Sequence, residues 1–346
     1  MTSVSVVIPC YNYGHFLEEA VGSVLDDQHG VDVRVLIIDD ASPDDSAEVA
    51  TKIAARDRRV EVVVHAANRG NIATYNEGLL DWADGDYCVL MSADDRLTPG
   101  ALQRARDLLD AHPSVGFVYG RALWFWQDKP IPAARTRARG WSVWPGEWWI
   151  ERRFRQVQNN ITSPEVVVRT SLQKRIGGYD VRLPHSGDLE MWLRLAANSD
   201  VGFIRGADQA YYRVHGQNMR NSFTDVLDLR QQRLAFEIAL DRCSNAVSEP
   251  KRLSDRVHRK LSRDALWAAA CAYDQDRAQQ VQTDELVDFA FDCWPTANKF
   301  PVYHTLQMRK RIGSPVMRKL EPIMVSRFTR KAHGWLQRRS WKYRGF

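Results

Sequence analysis

Residues 4–25 of the chain read VSVVIPCYNYGHFLEEAVGSVL and join two different hydrophobic patterns. The first part is a continuous run of β-formers, typical of a buried strand, and the part after Gly14 places apolar residues at helical spacing. The turn between them carries neither the G-x-G-x-x-G pattern of a dinucleotide site nor the G-x-x-x-x-G-K-[ST] pattern of a P-loop. The segment predicts a strand and a helix, joined by a turn that does not hold phosphates through a glycine-rich loop.

The same alternation of strand and helix continues along the chain. Strand-like runs recur at 33–39, 60–65, 86–92 and 115–120, with helical patterns between them. The rhythm is lost from about 120 to 160, and a second strand–helix section follows up to about 216. Alternation of this kind predicts an α/β fold with a parallel sheet covered by helices, and ligands of such sheets bind at the carboxyl ends of the strands.

The composition is that of a soluble globular protein. The chain has 346 residues, of which 44% are hydrophobic and 26% are charged. We expect a cytoplasmic protein, because no apolar run approaches the roughly 18 residues of a membrane span and the first residues lack a signal-peptide pattern. The five cysteines are widely spaced without a C-x-x-C pair, which favours reduced thiols in the core.

Two pairs of adjacent acids end predicted strands. Asp39 and Asp40 follow one strand, and Asp94 and Asp95 follow another. Helix capping is the common alternative role for such acids, but Ser42-Pro43 and Thr98-Pro99 are expected to cap the next helices. The acids therefore remain either as solvated turn residues or as oxygen ligands of a divalent cation that would hold a nucleotide diphosphate.

Six segments in this order resemble the successive motifs of the family 2 glycosyltransferases, which have the GT-A fold. They are VSVVIPCYNYGHFLEEAVGSVL, VLIIDDASPDDS, NRGNIATYNEGL, YCVLMSADDRLTPGAL, GDLEMWLRLA and YRVHGQNM, and they span roughly residues 4–220. The resemblance implies a mixed, mainly parallel sheet flanked by helices and a nucleotide-diphosphate sugar as the donor substrate.

The resemblance also implies where the nucleotide lies. The base would rest on the turn after the first strand, at Pro9 and Tyr11, and would hydrogen-bond to Asp40. Asn68 and Arg69 would lie beside the donor sugar or its phosphates. A packed turn aromatic and a solvated arginine are the alternatives for Tyr11 and Arg69.

The D-x-D-like motif of the family corresponds to residues 92–95. The resemblance implies that Asp94 reaches the ribose and that Asp95 binds the divalent cation, Mn²⁺ or Mg²⁺. His215 matches a position that often supplies a further contact to metal or phosphate, although a histidine in such a place can also be a core hydrogen-bonding residue. Ser92 stands where many relatives have an acid, which leaves the number of metal ligands open.

Asp188 corresponds to the catalytic base of the family. Its other role would be to oppose the positive end of the helix dipole, with Ser186 as the cap. Gly187 stands where many relatives have a second acid, and Glu190 points about 200° away around the helix. The base would deprotonate the acceptor hydroxyl, whose oxygen would attack the anomeric carbon and invert it.

The resemblance places a GT-A catalytic domain at 1–220, with a nucleotide half at about 1–120 and an acceptor half at 121–220. A helical C-terminal region is expected at 221–346. Its end, 303–346, has twelve Lys and Arg against Glu321 alone, and its apolar and basic residues form an amphipathic pattern. The tail is expected either to bind an anionic membrane surface or to pack on the catalytic domain, and no nucleic acid is expected as a partner.

Six tryptophans precede this region: Trp124, Trp126, Trp141, Trp144, Trp148 and Trp149. Most are expected to pack in the interior, and one or two are expected to contact the acceptor.

These features together predict a metal-dependent, inverting glycosyltransferase that acts on a hydroxyl of a glycan or a lipid-linked acceptor. A sugar nucleotidyltransferase is one alternative, but it would need a glycine-rich first turn. A non-catalytic protein that binds nucleotide sugars is the other.

Overall fold

The computed structural model describes residues 1–223, 225–320 and Gly345. By contacts between Cα atoms, these residues form two compact units. The first contains 1–150, 160–217 and Gly345, and the second contains 151–159 and 218–320. The predicted amphipathic segment of the tail, including Phe328 and Trp335, lies outside the described residues.

The first unit is built on strands that form two sheets. The strands are β1 (Ser3–Cys10), β2 (Asp32–Asp39), β3 (Val60–Val64), β4 (Tyr87–Leu90), β5 (Arg96–Leu97), β6 (Val115–Tyr119), β7 (Ala122–Trp126), β8 (Trp141–Trp144), β9 (Val166–Arg169), β10 (Asp200–Ile204) and β11 (Ala210–Val214). The large sheet has the order β3-β2-β1-β4-β9-β6-β10-β8, and the small sheet has the order β5-β11-β7.

Helices cover the sheet in the first unit and make up most of the second. They are α1 (Gly14–Leu25), α2 (Ser46–Arg56), α3 (Asn71–Asn76), α4 (Ala101–Ala111), α5 (Gly146–Gln156), α6 (Thr170–Ile176), α7 (Gly187–Ala196), α8 (Asp225–Cys243), α9 (Pro250–Asp274), α10 (Thr283–Cys293), α11 (Pro301–Ile312) and α12 (Ser314–Leu320). A π-helical segment, Glu77–Trp82, continues α3, and short 3₁₀ turns lie at Ser163–Glu165, Met219–Ser222, Ser244–Ala246 and Ala297–Lys299. Within the described part of the chain, no helix is long and apolar enough to cross a membrane.

The parallel pairing in the large sheet brings the chemistry to one edge. β1 pairs in parallel with β2 on one side, where Cys10 is opposite Asp39, and with β4 on the other, where Val7 is opposite Leu90. β3 extends the parallel part, while β9 is antiparallel to both β4 and β6. The predicted mixed, mainly parallel sheet flanked by helices is confirmed.

Buried apolar side chains from strands and helices form the core under this edge. In β1 and β2 the apolar residues are buried without alternation, as expected for strands covered on both faces. α1 and α4 contribute Leu17, Val21, Leu102 and Leu108 to the same cluster. Four of the five cysteines are buried and Cys271 is half-buried.

The predicted caps of two helices are wrong. α2 begins at Ser46 with Asp45 at its N-cap, and the backbone N–H of Ser42 instead bonds to the Asp39 carboxylate in the preceding turn. α4 begins at Ala101 with Gly100 at its N-cap. The hydroxyl of Thr98 donates to the carbonyl of Asp208, because a short strand, β5, intervenes after Asp95 and joins the small sheet.

The stretch from 120 to 160, which shows no strand–helix rhythm in sequence, contains β7, β8 and α5. Its two strands are edge strands of the small and the large sheet. Edge strands are half solvated, so their tryptophans do not give the buried apolar runs that mark the central strands.

Gly78 provides a test of the packing between the π-helical segment and β1. A Cβ atom at this position would lie 2.3 Å from Cγ1 of Val7, a fully buried residue of the central strand. We expect Gly78→Ala to lower the free energy of unfolding by about 2 kcal/mol in urea denaturation, because a well-packed core does not accommodate an extra methyl group.

Gly216→Ala is the matched control, since its added Cβ would meet nothing within 4 Å. Equal stability of the two variants would contradict this account of the packing.

Candidate active site

The acid pair Asp94-Asp95 follows β4 after the short segment 91–93 and is buried. Arg213 of β11 contacts it twice: its backbone N–H donates to Asp95 Oδ1 at 2.9 Å and its Nε donates to the carbonyl of Asp94 at 2.8 Å. The same guanidinium also bonds to Glu19 of α1. The guanidinium stacks over Phe16, 4.4 Å from the ring centroid. One buried arginine therefore ties the acid pair to the small sheet and to α1.

Asp94 and Asp95 have different surroundings. His215 Nε2 lies 3.0 Å from Asp94 Oδ2, and the edge of the Tyr13 ring packs against that histidine. Burial first, and then the charge of Asp94, raise the pKa of Asp95 well above its usual value, although the hydrogen bond and charge of Arg213 act to lower it. The ionised pair is therefore costly in the protein alone, and a cation beside it would reduce that cost.

The donor atoms suit a hard divalent cation only if a ligand completes the coordination. Among residues 1–223, 225–320 and 345, no three His, Cys, Asp or Glu side chains are grouped so that they could hold a metal ion. Mg²⁺ in proteins is commonly bound by one or two carboxylates together with substrate phosphates and water. Asp95 and one neighbouring side chain could supply the protein ligands of such a site.

Asp40 lies at the carboxyl end of β2, next to β1, and is the centre of a second cluster. Its Oδ1 accepts the backbone N–H of Arg69 at 2.8 Å and its Oδ2 accepts that of Gly70 at 2.9 Å. Its Oδ1 also lies 2.7 Å from His65 Nδ1. Burial acts to raise the pKa of Asp40, but these bonds lower it below its usual value, so the carboxylate is ionised at neutral pH.

His65 joins Asp40 to a further acid. Its Nε2 lies 3.1 Å from Glu77 Oε2, which also accepts a bond from the Arg69 guanidinium. Both ring nitrogens of His65 thus face carboxylate oxygens. Asp40, His65, Glu77 and Arg69 form one chain of polar contacts that orders the loop after β3.

The other residues predicted for the nucleotide lie at the same edge. Pro9 is in the last part of β1, and Tyr11 follows that strand with 47% of its surface exposed. The side chain of Asn68 donates to the carbonyl of Asp40 and accepts the N–H of Gly70. Asn68 and Arg69 thus lie against Asp40, while Tyr11 is open to solvent.

Asp188 is the second residue of α7, where Ser186 is the N-cap but makes no side-chain capping bond. Ser163 Oγ donates to Asp188 Oδ2 at 2.8 Å, and the hydroxyl of Tyr179 hydrogen-bonds to the same carboxyl group. Burial acts to raise the pKa of Asp188, and these two hydrogen bonds act to lower it. Burial is the larger effect, and the pKa is raised to about 6. A group that titrates near neutral pH can take a proton from an acceptor hydroxyl and release it again.

Glu190 takes no part in this arrangement. Its carboxylate is fully buried and pairs through both oxygens with Arg194, at 2.8 and 2.9 Å. The pair ties α7 to the carbonyls of the turn after α6. Glu190 is therefore a structural ion pair, as its position on the helix predicts.

Residues 5–172 match the family model described as Glycosyl transferase family 2. This part of the chain is therefore similar to glycosyltransferase family 2. The resemblance stated from the sequence motifs is confirmed.

Individual relatives agree with this family. An uncharacterized glycosyltransferase of Nostoc sp. is 31% identical over 134 residues, which are 39% of this chain and 41% of the relative. The chondroitin synthase of Pasteurella multocida is 33% identical over 223 residues, 62% of this chain and 21% of that protein. The matched part of the chain thus spans less than half the length of these curated relatives.

A solved structure shares the fold. The crystal structure of S. aureus TarS 1–349 in complex with UDP-GlcNAc matches with a TM-score of 0.60 and 16% sequence identity, covering 92% of this chain and 91% of that one. At this identity the likeness shows the fold.

Several residues around the family 2 motifs were not found by sequence reasoning. They are Tyr13, His65, Glu77, Ser163, Tyr179 and Arg213. His65 had a usable signal, because it is the last residue of a predicted strand, next to the predicted ligand edge of the sheet. The others contact the site through tertiary packing alone, which no spacing in the sequence reveals.

The tryptophans divide between packing and exposure. Trp149 is fully buried, whereas Trp124, Trp126 and Trp148 are each more than 40% exposed. The exposed ones remain candidates for the predicted acceptor contact.

His65 provides a test of the polar cluster around Asp40. We expect His65→Ala to lower the free energy of unfolding by about 2 kcal/mol in urea denaturation at pH 7, because it removes a hydrogen-bond partner of the buried Asp40 carboxylate. The exposed His29 gives the control variant His29→Ala, which we expect to be neutral. A His65→Ala protein as stable as this control would refute the bridging role.

Proposed function

We propose that the chain is a metal-dependent, inverting glycosyltransferase. It transfers a sugar from a nucleotide-diphosphate sugar to a hydroxyl group of a glycan or a lipid-linked acceptor. The match of residues 5–172 to the family 2 model supports the class of reaction. The observation that carries the mechanism is the carboxyl group of Asp188, whose pKa of about 6 suits a general base.

The nucleotide end of the donor would bind at the carboxyl ends of β1 to β3. Pro9 and the exposed ring of Tyr11 would support the base, and the ionised carboxylate of Asp40 would accept a hydrogen bond from it. Asn68 and Arg69 would face the donor from the loop that Asp40 already holds. Ligand sites at this edge are general for such sheets.

The diphosphate would lie near the acid pair. Asp94, held by His215, would bond to the ribose, and Asp95 would hold the divalent cation, with His215 as the second candidate ligand. When bound, the cation would stabilise the negative charge that develops on the departing nucleoside diphosphate. Arg213 keeps the pair in place by its bonds to Asp94 and Asp95.

The reaction at the anomeric carbon would be a direct displacement. Asp188 takes the proton of the acceptor hydroxyl, the oxygen forms a bond to the anomeric carbon, and the bond from that carbon to the diphosphate oxygen breaks. The leaving group carries away the electron pair, and the configuration at the carbon inverts.

A sugar nucleotidyltransferase is disfavoured by the family match and by the turn PCYNYG, which is not glycine-rich. A non-catalytic protein that binds nucleotide sugars would show nucleotide binding without transfer. The two experiments that follow separate it from an enzyme.

Metal-dependent nucleotide binding should be visible as a thermal shift. We expect UDP, GDP or another nucleoside diphosphate to raise the Tm in the presence of Mn²⁺ or Mg²⁺ and to raise it less in EDTA, because a ligand of the folded state stabilises it. Uridine nucleotides are the first to test, since TarS is bound to UDP-GlcNAc in its crystal structure.

Asp95→Ala should abolish the metal-dependent part of this shift. Asp81→Ala, at an exposed position of the π-helical segment, should leave it intact. The absence of any metal-dependent shift with every nucleoside diphosphate would contradict the proposed function.

The role of Asp188 has a test in the pH dependence of transfer. The acid is ionised above its pKa, so we expect kcat/KM to be half-maximal near pH 6 and to fall about tenfold per pH unit below it. The assay follows release of the nucleoside diphosphate from the nucleotide sugar that gives the largest thermal shift.

We expect Asp188→Asn to keep the thermal shift with nucleotide and to lose about 1000-fold in rate. Asp81→Asn is the matched control and should match the wild-type rate. Full activity of Asp188→Asn would eliminate this residue as the base.

A further inference from the structure

Three separate segments meet at the Asp188 carboxyl group. The first is the 3₁₀ turn Ser163–Glu165, the second is the turn after α6 that contains Tyr179, and the third is the first turn of α7. Two of them bring a hydroxyl donor to the same carboxyl group. Both donors are neutral groups.

The donor Ser163 is held by a capping box. Glu165 Oε1 accepts the backbone N–H of Thr162 at 2.9 Å, and the backbone N–H of Glu165 bonds back to the carbonyl of Thr162. Pro164 fixes the backbone between them. The backbone of Ser163 therefore lies in a rigid turn. Only the side-chain rotation of Ser163 remains free, and its hydrogen bond to Asp188 fixes that rotation.

The donor Tyr179 is held by the side chain of Asn76. Asn76 Nδ2 donates to the carbonyl of Tyr179 at 3.0 Å, and its Oδ1 accepts the N–H of Tyr179 at 2.6 Å. A Cβ atom at Gly178 would lie 2.2 Å from that Oδ1, so the approach requires glycine. The ring of Tyr179 also packs edge-on against Tyr75, 5.6 Å between centroids.

We propose that Ser163 and Tyr179 are positioning residues for Asp188, which orient its carboxylate toward the acceptor hydroxyl and stabilise its ionised form. The proposal rests on the proposed function of Asp188 as the general base. In this proposal the two hydroxyls act through Asp188 and do not contact the substrate themselves.

The polar groups around this carboxyl group all act in the same direction on its pKa. Hydrogen bonds from the two hydroxyls and the nearby His185 all favour the ionised acid, while burial opposes it. Tyr75 and Tyr179 stay neutral, because burial raises the pKa of each phenol. Removal of either donor should therefore raise the pKa of Asp188.

The direct test is the titration of Asp188 in the full-length protein, followed by NMR of ¹³C-labelled aspartate carboxyl groups and assigned with Asp188→Asn. We expect a midpoint near pH 6 in the wild type. Ser163→Ala and Tyr179→Phe should each raise it by about one pH unit, the size expected for one hydrogen bond to a charged group.

Two further variants serve as controls. Ser163→Thr keeps the hydroxyl and should keep the wild-type midpoint. Tyr87→Phe removes a buried tyrosine hydroxyl that bonds to another carboxylate, Asp110, and should also leave the midpoint unchanged. All variants are compared at equal folded fraction, checked by their Tm.

The pH profile of transfer provides the second readout. In Ser163→Ala and Tyr179→Phe the acid limb should move upward with the NMR midpoint, so that activity recovers in part at higher pH. A purely structural role would lower the rate equally at all pH values.

An unchanged midpoint in both Ser163→Ala and Tyr179→Phe would overturn the positioning role. If the midpoint moves but Asp188→Asn retains full transfer, the proposed base is wrong, and the two hydroxyls then have no role in the reaction.

Discussion

The parallel pairing of β1 with β2 on one side and with β4 on the other is the constraint on which the site depends. The first loop of the chain and both acid pairs leave the sheet in the same direction because these three strands are neighbours and point the same way. Strands next to each other lie about 4.8 Å apart, so acids that are 55 residues apart in sequence share one edge. β11 belongs to the other sheet, yet Arg213 within it and His215 directly after it contact Asp95 and Asp94.

Placing several acids close together is electrostatically unfavourable, and the groups that stabilise each carboxylate differ from one acid to the next. Asp40 has two backbone N–H groups and the ring of His65 as partners, and these bonds keep it ionised in spite of its burial. Asp95 has one backbone N–H and the more distant charge of Arg213, and its pKa remains raised. The protein alone therefore stabilises the ionised form of Asp40 better than that of Asp95, and this difference supports the proposed roles of Asp40 as a hydrogen-bond acceptor and Asp95 as a metal ligand.

The sequence predicts the strands, their order of appearance and the acids that end them, because buried strands and helix periodicity are local patterns. It does not predict the tertiary hydrogen-bond partners of individual side chains. Ser42 and Thr98 have the local signature of helix caps, but tertiary contacts override it: Ser42 belongs to the turn that Asp39 closes, and Thr98 bonds to the carbonyl of Asp208, 110 residues away. Arg213 is likewise invisible as a site residue, since its role depends on the pairing of β11 with β5. The family motifs contain the acids and also Glu77 and Arg213, but the contacts by which these two residues act on the acids depend on tertiary packing.

Asp188 shows why the chemical nature of such tuning groups matters. Its two donors are hydroxyls, which stabilise a carboxylate less than a cation in direct contact does. An arginine in place of either donor would favour the ionised acid more strongly. Glu190, two residues along the same helix, has such a partner in Arg194. A base must also accept a proton readily, and the optimum lies where its pKa is close to the working pH. Burial raises the pKa of Asp188 and two neutral donors limit the rise, so that the balance falls near 6. The same helix thus carries one acid paired with an arginine and one, Asp188, bonded to neutral hydroxyls, whose pKa of about 6 is the property that proton transfer requires.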